Sequence, residues 1–316
     1  MKDKIVMTIS LLVIAGLITC GVLFTASLTA LQIQTLKILG IICAASALYC
    51  FVAGEIARNN SQMDKLWSVL PIAYVWVIAG MGGMKPRLIA IAVIVTLWGC
   101  RLTYNFAKKG AYSIKFWAGE EDYRWIYLRK QKPLDNKILW AVFDLFFISI
   151  LQNAIVLGIT LPGVAIMEST APFGVVDIVA CVLMVGFFVL EVFADHQQNK
   201  FQTKKYEYLN SGKKLEELPE PYSRGFNVTG LWGVMRHPNY LGEQGIWVSL
   251  YLFVIGAGVA EKFVFNWSIV GSMLLVAIFI GSSRMAESMS NKKYSEYASY
   301  QKQVFKYLPF RKYKSK

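Results

Sequence analysis

The apolar residues of this chain fall in repeated blocks, each about as long as the roughly 20-residue helix that crosses a lipid bilayer. Charged and polar residues collect between the blocks. This pattern predicts eight membrane-crossing helices. Their expected ranges are 5–28, 36–57, 66–82, 87–107, 138–161, 174–194, 242–260 and 264–283.

Composition agrees with the pattern, because 55% of the 316 residues are hydrophobic. A chain of this kind is expected to be an integral membrane protein. Helices close their own backbone hydrogen bonds inside lipid, so no sheet is expected there. The predicted fold class is therefore all-α, a polytopic membrane helix bundle of about eight transmembrane helices that forms a single integral membrane domain over residues 1–316.

The first apolar block, residues 5–28, begins like a secretory signal peptide, with Lys2 and Lys4 ahead of it. It is longer than the apolar core of a signal peptide, which runs for roughly 7 to 15 residues, and no obvious cleavage site of small residues follows it. We therefore expect the block to remain as a helix.

The net charge of +13 raises the question of nucleic-acid binding, but the distribution of the basic residues points elsewhere. With eight spans, 28 of the 33 Lys and Arg residues fall on one side of the membrane. Positive residues mark the cytoplasmic face. We therefore predict a multi-pass protein of the cytoplasmic membrane, with both termini in the cytoplasm and no nucleic-acid partner.

Cysteine and histidine do not predict a metal site. The five cysteines lack CxxC spacing and all fall inside apolar blocks, where they are expected to behave as small hydrophobic residues. The two histidines, His196 and His237, are too few for a convincing zinc site.

Three predicted cytoplasmic loops, 108–137, 195–241 and 284–316, are long, basic and rich in Tyr and Trp, whereas the loops of the other face are short. Long loops on one face of a rigid scaffold are a usual place for a binding site. The alternative is that they are solvated basic segments that lie against lipid headgroups.

The stretch GLWGVMRHPNYLGEQGIW places charged and polar side chains at the start of an apolar block. Pro238 disfavours helix at the residue before it, so Arg236 and His237 are expected at a bend that leads into the next helix. Asn239 and Glu243, four residues apart, share one face of that helix. The positive end of a helix beside Arg and His favours an anion, and an amide with a carboxylate can bind an amide or an adenine-like edge.

A simpler interpretation is that this stretch only caps a helix, with Asn239 as the cap and Glu243 satisfied locally. Helix caps of this kind are common. The residues alone leave both interpretations open.

Several stretches follow a family pattern: MDKLW, LWGCR, FADHQ, GLW, RHPNYLGE, Arg284 before a polar helix, and YASYQKQVFKYLPF. On these stretches the chain resembles, over residues 60–312, the membrane steroid 5α-reductase family in an uncharacterised bacterial branch. The match is most specific in RHPNYLGE. It implies a seven-helix reductase core with one extra N-terminal helix, and NADPH that enters from the cytoplasmic side into a cofactor-binding part, residues 193–312.

The resemblance also implies roles for single residues. Asn239 and Glu243 match the Asn and Glu that hold the nicotinamide carboxamide. Asp195 and Arg284 match an Asp and an Arg that line the cofactor cavity, and the alternative for both is an interfacial anchor. Arg224 lies one residue out of register with a family Arg. The expected cofactor-binding set is Asn239, Glu243, Arg236, His237, Tyr240, Asp195, Arg284 and Arg224.

The substrate side departs from the family pattern. Steroid reductases place a Glu and a Tyr at the substrate's keto oxygen, and these positions fall on Asp64 and Trp98. An Asp can serve as the catalytic acid, with a pKa raised by burial, but a Trp has no phenolic proton. Tyr104 lies about 240° around the helix from Trp98 and faces elsewhere. We therefore expect Asp64 as the acid, with Trp98 and Arg101 binding the substrate, and the alternative for Asp64 is a cap of the third span.

The resemblance thus implies an NADPH-dependent reductase of a conjugated double bond in a lipophilic, steroid- or isoprenoid-like substrate. Two other functions stay open. Membrane methyltransferases of the isoprenylcysteine carboxyl methyltransferase type bind S-adenosylmethionine and share an RHP-x-Y-x-G signature with a later acidic residue. A noncatalytic protein that binds membrane lipid is the third. The spacing of Asn239 and Glu243, and the FADHQ stretch, favour the reductase.

Overall fold

The computed structural model describes residues 27–260 and 265–314. Within these ranges the protein is all-helical and forms no strand, which confirms the predicted fold class. The helices, in chain order, are α1 (Ala30–Ala57), α2 (Gln62–Leu66), α3 (Leu70–Met81), α4 (Pro86–Lys108), α5 (Tyr123–Arg129), α6 (Lys137–Ile166), α7 (Val175–Asn210), α8 (Pro238–Leu250), α9 (Leu252–Gly256), α10 (Trp267–Lys293) and α11 (Tyr297–Gln303).

Five of these helices, α1, α4, α6, α7 and α10, are long and apolar enough to cross a membrane. They coincide with five of the predicted spans, and the protein is an integral membrane protein. Ile41 on α1 and Val182 on α7 are 70% and 64% exposed although both are strongly apolar. Such side chains fit a surface that faces lipid, since a helix that is apolar on all sides has no face for water.

Three predicted spans have a different outcome. The segment 66–82 contains α3, whose 12 residues make a helix of about 18 Å, shorter than the roughly 30 Å hydrocarbon core. The segment 242–260 is divided between α8 and α9, with a break at Tyr251. The span predicted at 5–28 lies outside the described residues, apart from its last two.

The chain divides into two compact units. In the described part, the larger unit consists of residues 27–181, 250–260 and 265–274, and the smaller unit consists of residues 182–249 and 275–314. The division passes through α7, α8 and α10.

A buried ion pair fixes the start of α4 in the larger unit. Arg87 donates from Nε and Nη2 to the two carboxylate oxygens of Asp177, at 2.8 Å each. Nη1 donates to the Ala171 carbonyl, and Nη2 also lies within hydrogen-bond distance of the Pro172 and Gly256 carbonyls. Both charged side chains are almost completely buried. A buried ion pair needs additional hydrogen bonds of this kind to offset the cost of leaving water.

The larger unit also contains a buried polar segment, residues 59–65, between α1 and α3. Its side chains hold the loop of residues 116–119 by four successive backbone carbonyls. Lys65 Nζ donates to the carbonyls of residues 116 and 118, at 2.8 and 2.6 Å. Gln62 and Asn59 donate to those of residues 117 and 119, at 2.9 Å each. The order of this loop therefore comes from the side chains of a distant segment.

Helix α6 contains a stretch of wider turns, Asp144–Leu151, in π-helical conformation. The buried Asp144 carboxylate accepts from Asn60 Nδ2 at 2.8 Å. Farther along, Gly158 meets Gly271 of α10 so closely that a Cβ built on Gly271 would lie 1.9 Å from the Gly158 carbonyl carbon. Residues without a side chain are required on both sides of this contact.

An aromatic cluster forms the core of the smaller unit. It consists of Phe226, Tyr297, Tyr300 and Val304, all buried. The rings of Phe226 and Tyr297 meet edge to face, with centroids 4.9 Å apart. The Tyr300 hydroxyl donates to the backbone carbonyl of Trp232 at 2.5 Å, and the Met235 carbonyl lies farther away, at 3.3 Å. This cluster joins α11 to the segment that leads into α8, and so positions the RHPNYLGE stretch.

Candidate cofactor-binding site

Helix α8 begins at Pro238, as the sequence predicts, because proline suits the first turn of a helix. Asn239 therefore lies inside the first turn. Its side chain bonds to Asp195 on α7, with 3.2 Å from Nδ2 to Oδ1. The interpretation of Asn239 as a helix cap is wrong, since a cap precedes the helix and accepts from its backbone N–H groups.

Two glycines bring α8 close to α7. A Cβ added to Gly242 would lie 2.7 Å from the Cβ of Glu191, and one added to Gly245 would lie 2.3 Å from the ring of Phe187. Neither position has room for a side chain. These glycines therefore set the distance between the polar faces of the two helices.

The polar faces bring acids and an amide together. Helix α7 contributes Glu191 and Asp195, and α8 contributes Asn239 and Glu243, each pair four residues apart and so on one face. Glu191 and Glu243 are only 3% and 5% exposed. Trp247 Nε1 donates to Glu243 Oε1 at 3.4 Å. In this set of side chains, acceptor atoms outnumber donors.

Two side-chain amide oxygens on α7 and α8 are buried without a hydrogen-bond partner among the described residues. They are the amide oxygen of Asn239 and Gln198 Oε1, which lies about one turn after Asp195 on α7. A buried acceptor without a partner costs roughly 1–3 kcal/mol. Both oxygens can accept hydrogen bonds from the N–H groups of a ligand.

Arg236 and His237 converge on one carboxylate, Glu287 of α10. Arg236 Nε donates to Glu287 Oε1 at 2.7 Å, and His237 Nε2 lies 3.0 Å from the same oxygen. On the other oxygen, Gln301 Nε2 donates at 3.1 Å and Lys306 Nζ lies at 3.7 Å. We call these five residues the Glu287 cluster. The protein's own Glu287 carboxylate thus lies beside the start of α8. That this helix start binds the anionic group of a ligand stays a prediction.

The backbone around the cluster is fixed as well. The N–H groups of Arg236 and His237 donate to the carbonyls of residues 305 and 306, at 3.0 and 3.1 Å. Through these backbone bonds and the side-chain contacts with Glu287, Arg236 and His237 join α8, α10 and the segment after α11. Their predicted role in holding a cofactor stays a prediction.

His237 is 6% exposed and stacks on Tyr240, with ring centroids 5.1 Å apart. Burial lowers the pKa of His237, although the neighbouring Glu287 acts in the opposite direction. The ring of Tyr240 in turn meets Phe279 edge to face at 4.8 Å. Tyr240 thus holds the plane of the imidazole.

The two remaining cations of the predicted set have different surroundings. Arg224 pairs with Glu220 at 2.8 Å and Glu296 at 3.0 Å, and donates to the Tyr313 hydroxyl at 2.6 Å. Its hydrogen bond to Glu220 raises the pKa of Arg224. Arg284, on α10, is exposed. Arg224 therefore joins three segments of the smaller unit, whereas the Arg284 side chain is accessible.

Asp64 lies in the larger unit, in the short helix α2. It does not cap α3, which is preceded by Val69, so that interpretation is wrong. Its carboxylate accepts from Trp125 Nε1 at 2.7 Å and lies 3.4 Å from Arg124 Nη2. Burial raises the pKa of Asp64, with Arg124 opposing it. This direction agrees with the prediction for a general acid.

The residues predicted to bind substrate also lie in the larger unit. Trp98 is fully buried, whereas Tyr104 is 58% exposed, which confirms that the two face different ways. Arg101 is half-buried. Trp98 belongs to the packed core of the unit, and its contact with a substrate stays a prediction.

Residues 50–304 match the sequence profile of a family described as "Protein of unknown function (DUF1295)". The chain belongs to the DUF1295 family. It is also similar to an uncharacterized protein of Schizosaccharomyces pombe, C594.04c, with 36% identity over 282 residues that cover 83% of this chain and 78% of the yeast protein. No solved structure matches the chain.

The DUF1295 region contains every residue predicted for the site, from Asp64 to Arg284. The region therefore includes parts of both compact units. In residues 27–260 and 265–314, no group of three His, Cys, Asp or Glu residues is arranged to hold a metal ion.

Two residues of the DUF1295 region were missed by the sequence reasoning. Glu287 follows Arg284 by three positions, and an acid on a helix that continues an apolar block needs a partner, which was a usable signal. The sequence pattern predicts that Lys65 is an ordinary surface charge, because it lies beside a predicted span, but in the structure this side chain is buried.

Proposed function

We propose that this protein is an NADPH-dependent membrane reductase that acts on a conjugated double bond of a lipophilic substrate. The observation that carries the proposal is the buried, unpartnered oxygen of Asn239, which lies next to Asp195 and one turn from Glu243. The carboxamide of nicotinamide presents an –NH2 group, whose hydrogens suit an amide oxygen and carboxylate acceptors. The residues present fit that part of the cofactor.

The resemblance to the membrane steroid 5α-reductases supports the same roles. RHPNYLGE carries it most specifically, and it assigns Asn239 and Glu243 to the carboxamide. The exposed Arg284 offers a cation to a phosphate group. When bound, NADPH supplies a hydride. In this proposal Asn239 and Glu243 bind and orient the carboxamide end.

For the substrate, Asp64 is the proposed acid. Because burial raises the pKa of Asp64, this group keeps its proton to a higher pH than an ordinary Asp and can donate it to a carbonyl oxygen. Trp98 stands where the steroid reductases have a Tyr, so this position supplies no phenol. The proposed substrate class is an unsaturated, carbonyl-bearing lipid of steroid-like or isoprenoid-like size.

Thermal unfolding of the detergent-purified protein tests the proposal. NADPH at a hundredfold excess over its Kd should stabilise the fold by about 2.7 kcal/mol, because it binds only the folded state. S-adenosylmethionine should have no such effect. The variant Asn239→Ala/Glu243→Ala should lose the stabilisation. The control Glu207→Ala/Asn210→Ala, which removes the same two groups from an exposed part of α7, should keep it.

Full stabilisation of Asn239→Ala/Glu243→Ala by NADPH would contradict the carboxamide role. If that variant does not fold, Glu243→Gln retains the shape of the side chain and should still weaken NADPH binding. Stabilisation by neither ligand would favour the noncatalytic lipid-binding protein.

A second candidate function is supported by the Glu287 cluster. Its contacts bring Arg236 and His237 of the RHP stretch together with a later acidic residue, a combination that resembles the isoprenylcysteine carboxyl methyltransferase signature. In the same assay, stabilisation by S-adenosylmethionine but not by NADPH would select a methyltransferase.

A further inference from the structure

Residues 305–313, after α11, form a loop that is held at both ends; we call it the C-terminal loop. At its start, the carbonyls of residues 305 and 306 accept from the backbone N–H groups of Arg236 and His237. At its end, the N–H of Tyr313 donates to the Gly233 carbonyl at 2.8 Å, and the Tyr313 hydroxyl accepts from Arg224 at 2.6 Å. Both anchors belong to the smaller unit.

Between its anchors the C-terminal loop exposes large apolar side chains. Phe310 is 74% exposed, Leu308 is 50% exposed and Phe305 is 39% exposed. The rings of Phe305 and Phe310 meet edge to face at 6.4 Å. Because the anchors fix the backbone, these side chains are presented outward by a defined conformation.

Basic residues surround the same surface. They line a surface concavity of about 400 Å³ together with one glutamine, and no acidic residue is among those that line it. The Arg311 guanidinium lies over the ring of Phe305, 5.0 Å from its centroid, so charge and apolar surface are in direct contact. The residues that line the concavity are Lys302, Gln303, Arg311, Lys312 and Lys314.

We propose that the C-terminal loop and this basic concavity bind the headgroup of an anionic phospholipid of the surrounding bilayer. The cations would hold the phosphate, while Leu308 and Phe310 enter the boundary between headgroups and acyl chains. Only the short helix α11 separates the loop from the end of α10, which is a candidate membrane span. The chain therefore keeps the loop close to a membrane surface.

The exposed apolar residues favour a lipid over a soluble phosphate compound. A free phosphate would need only the cations and would leave Phe310 and Leu308 in water. A headgroup at a bilayer surface uses both parts of the patch, since each apolar side chain gains free energy on leaving water. This inference does not depend on the proposed reductase activity.

Trypsin cleavage of the full-length protein in nanodiscs tests the inference without any label. Cleavage after Arg311 or Lys312 is followed by mass spectrometry, relative to cleavage after the exposed Lys130. In nanodiscs that mix phosphatidylglycerol with phosphatidylcholine, the C-terminal loop should be cut about tenfold more slowly than in phosphatidylcholine alone. Equal relative rates in the two lipids would overturn the proposal.

Charge-reversal variants test which residues cause the protection by phosphatidylglycerol. Lys302→Glu/Lys314→Glu leaves the cleaved bonds unchanged and should remove most of the protection by phosphatidylglycerol. The control Lys213→Glu/Lys214→Glu changes the charge equally at another exposed site and should keep it. Undiminished protection of Lys302→Glu/Lys314→Glu would refute the assignment. If that variant does not fold, Leu308→Ser should show the same loss through the apolar contact.

A further experiment distinguishes a lipid headgroup from a soluble phosphate compound as the ligand. Inorganic phosphate or NADPH, added to phosphatidylcholine nanodiscs, should give no protection of the C-terminal loop. Protection by either compound would show that the concavity takes a soluble phosphate and would overturn the lipid assignment.

Discussion

A single carboxylate, Glu287, accounts for the surroundings of the most distinctive residues in this chain. Its side chain is 8% exposed, and its two oxygens face Arg236, His237, Lys306 and Gln301. Separating a buried carboxylate from its cations leaves those cations without compensation in a poorly solvated place. At the scale of single residues, Glu287 is therefore a main determinant of stability in the smaller unit.

We predict that Glu287→Gln lowers the free energy of unfolding by roughly 3 kcal/mol, because it leaves several buried donors without their negative partner. Chemical denaturation with a tryptophan signal would measure the change. Glu296→Gln provides the matched control. Glu296 is 55% exposed in its pair with Arg224, so its loss should cost less than about 1 kcal/mol. Equal costs for the two variants would argue against the role of the cluster.

Asp64→Asn should change the pH dependence of stability. Because the pKa of Asp64 is raised in the folded protein, the unfolded chain ionises more easily, and stability falls as pH rises from the ordinary Asp range through the raised pKa. The Asn variant lacks this loss and keeps an oxygen for Trp125. The thermal midpoint of the variant, measured against pH, should therefore be flatter than that of the wild type.

The same variant tests the catalytic role. Asp64→Asn should retain stabilisation by NADPH and lose turnover of an unsaturated, carbonyl-bearing lipid. The exposed Asp135 gives a control, since Asp135→Asn should alter neither property. Turnover at the wild-type rate in Asp64→Asn would remove Asp64 from the mechanism.

Part of the site at this scale could be predicted and part could not. Pro238 predicts the helix start, and the spacing of Asn239 and Glu243 predicts their common face. The Glu287 contacts join residues about 50 positions apart, and no local pattern encodes such a distance. The burial of Lys65 could not be predicted either, because the carbonyl groups that it contacts lie in a loop some 50 residues later.

Among the helices, close packing of α7 and α8 depends on glycine. We predict that Gly242→Ala and Gly245→Ala each destabilise the protein by about 1–3 kcal/mol, because the new methyl group would meet α7 at 2.7 and 2.3 Å. Both variants should also weaken ligand binding at the polar face, since α8 must move away. Thermal unfolding with and without NADPH would measure the two effects.

Two other helical glycines serve as controls for this prediction. A Cβ at Gly186 of α7 or Gly281 of α10 would meet no atom within 4 Å. Gly186→Ala and Gly281→Ala should therefore be neutral, or stabilising by up to about 1 kcal/mol through helix propensity. Destabilisation by all four substitutions alike would show that the close approach of α7 and α8 is not the cause.

Apolar blocks located the long helices well and their ends poorly. Helix α7 was expected to end at residue 194 but continues to Asn210, because the sequence after Ala194 is polar yet contains good helix formers. The pattern of apolar residues indicates where the lipid-facing part of a helix ends, and the helix itself can continue beyond that point. It also gives no sign of the π-helical stretch in α6, which depends on hydrogen-bond geometry and not on polarity.

For the molecule as a whole, the charge pattern predicts an orientation. With 28 of 33 basic residues on one side in the eight-span arrangement, the C-terminus should be cytoplasmic. A cysteine introduced at Lys316 should react with a membrane-impermeant maleimide only after the cells are opened, with the wild type as the background control. Labelling of intact cells from outside would reverse the predicted orientation.

Composition was enough to predict the all-helical membrane architecture. It did not predict the division of the chain into two compact units. Blocks of apolar residues suffice for an all-helical membrane protein, because lipid admits few other backbone arrangements. The division of the DUF1295 region into two compact units falls inside the apolar parts of helices such as α7 and α10, where hydrophobicity does not change. It arises from which helices pack together, and this depends on shape and on single contacts such as Gly158 with Gly271.

The hydrogen bonds from Lys65, Gln62 and Asn59 to the loop of residues 116–119 all end on the loop's carbonyl oxygens. The loop's own amide hydrogens take no part in that attachment. The Ala118 N–H donates within its own turn, to the Lys115 carbonyl at 2.8 Å. Deuterium exchange should therefore be faster at the amides of residues 116, 117 and 119 than at that of residue 118, while the positions of the backbone atoms remain fixed. In this part of the protein, rapid amide exchange and a well-defined conformation go together.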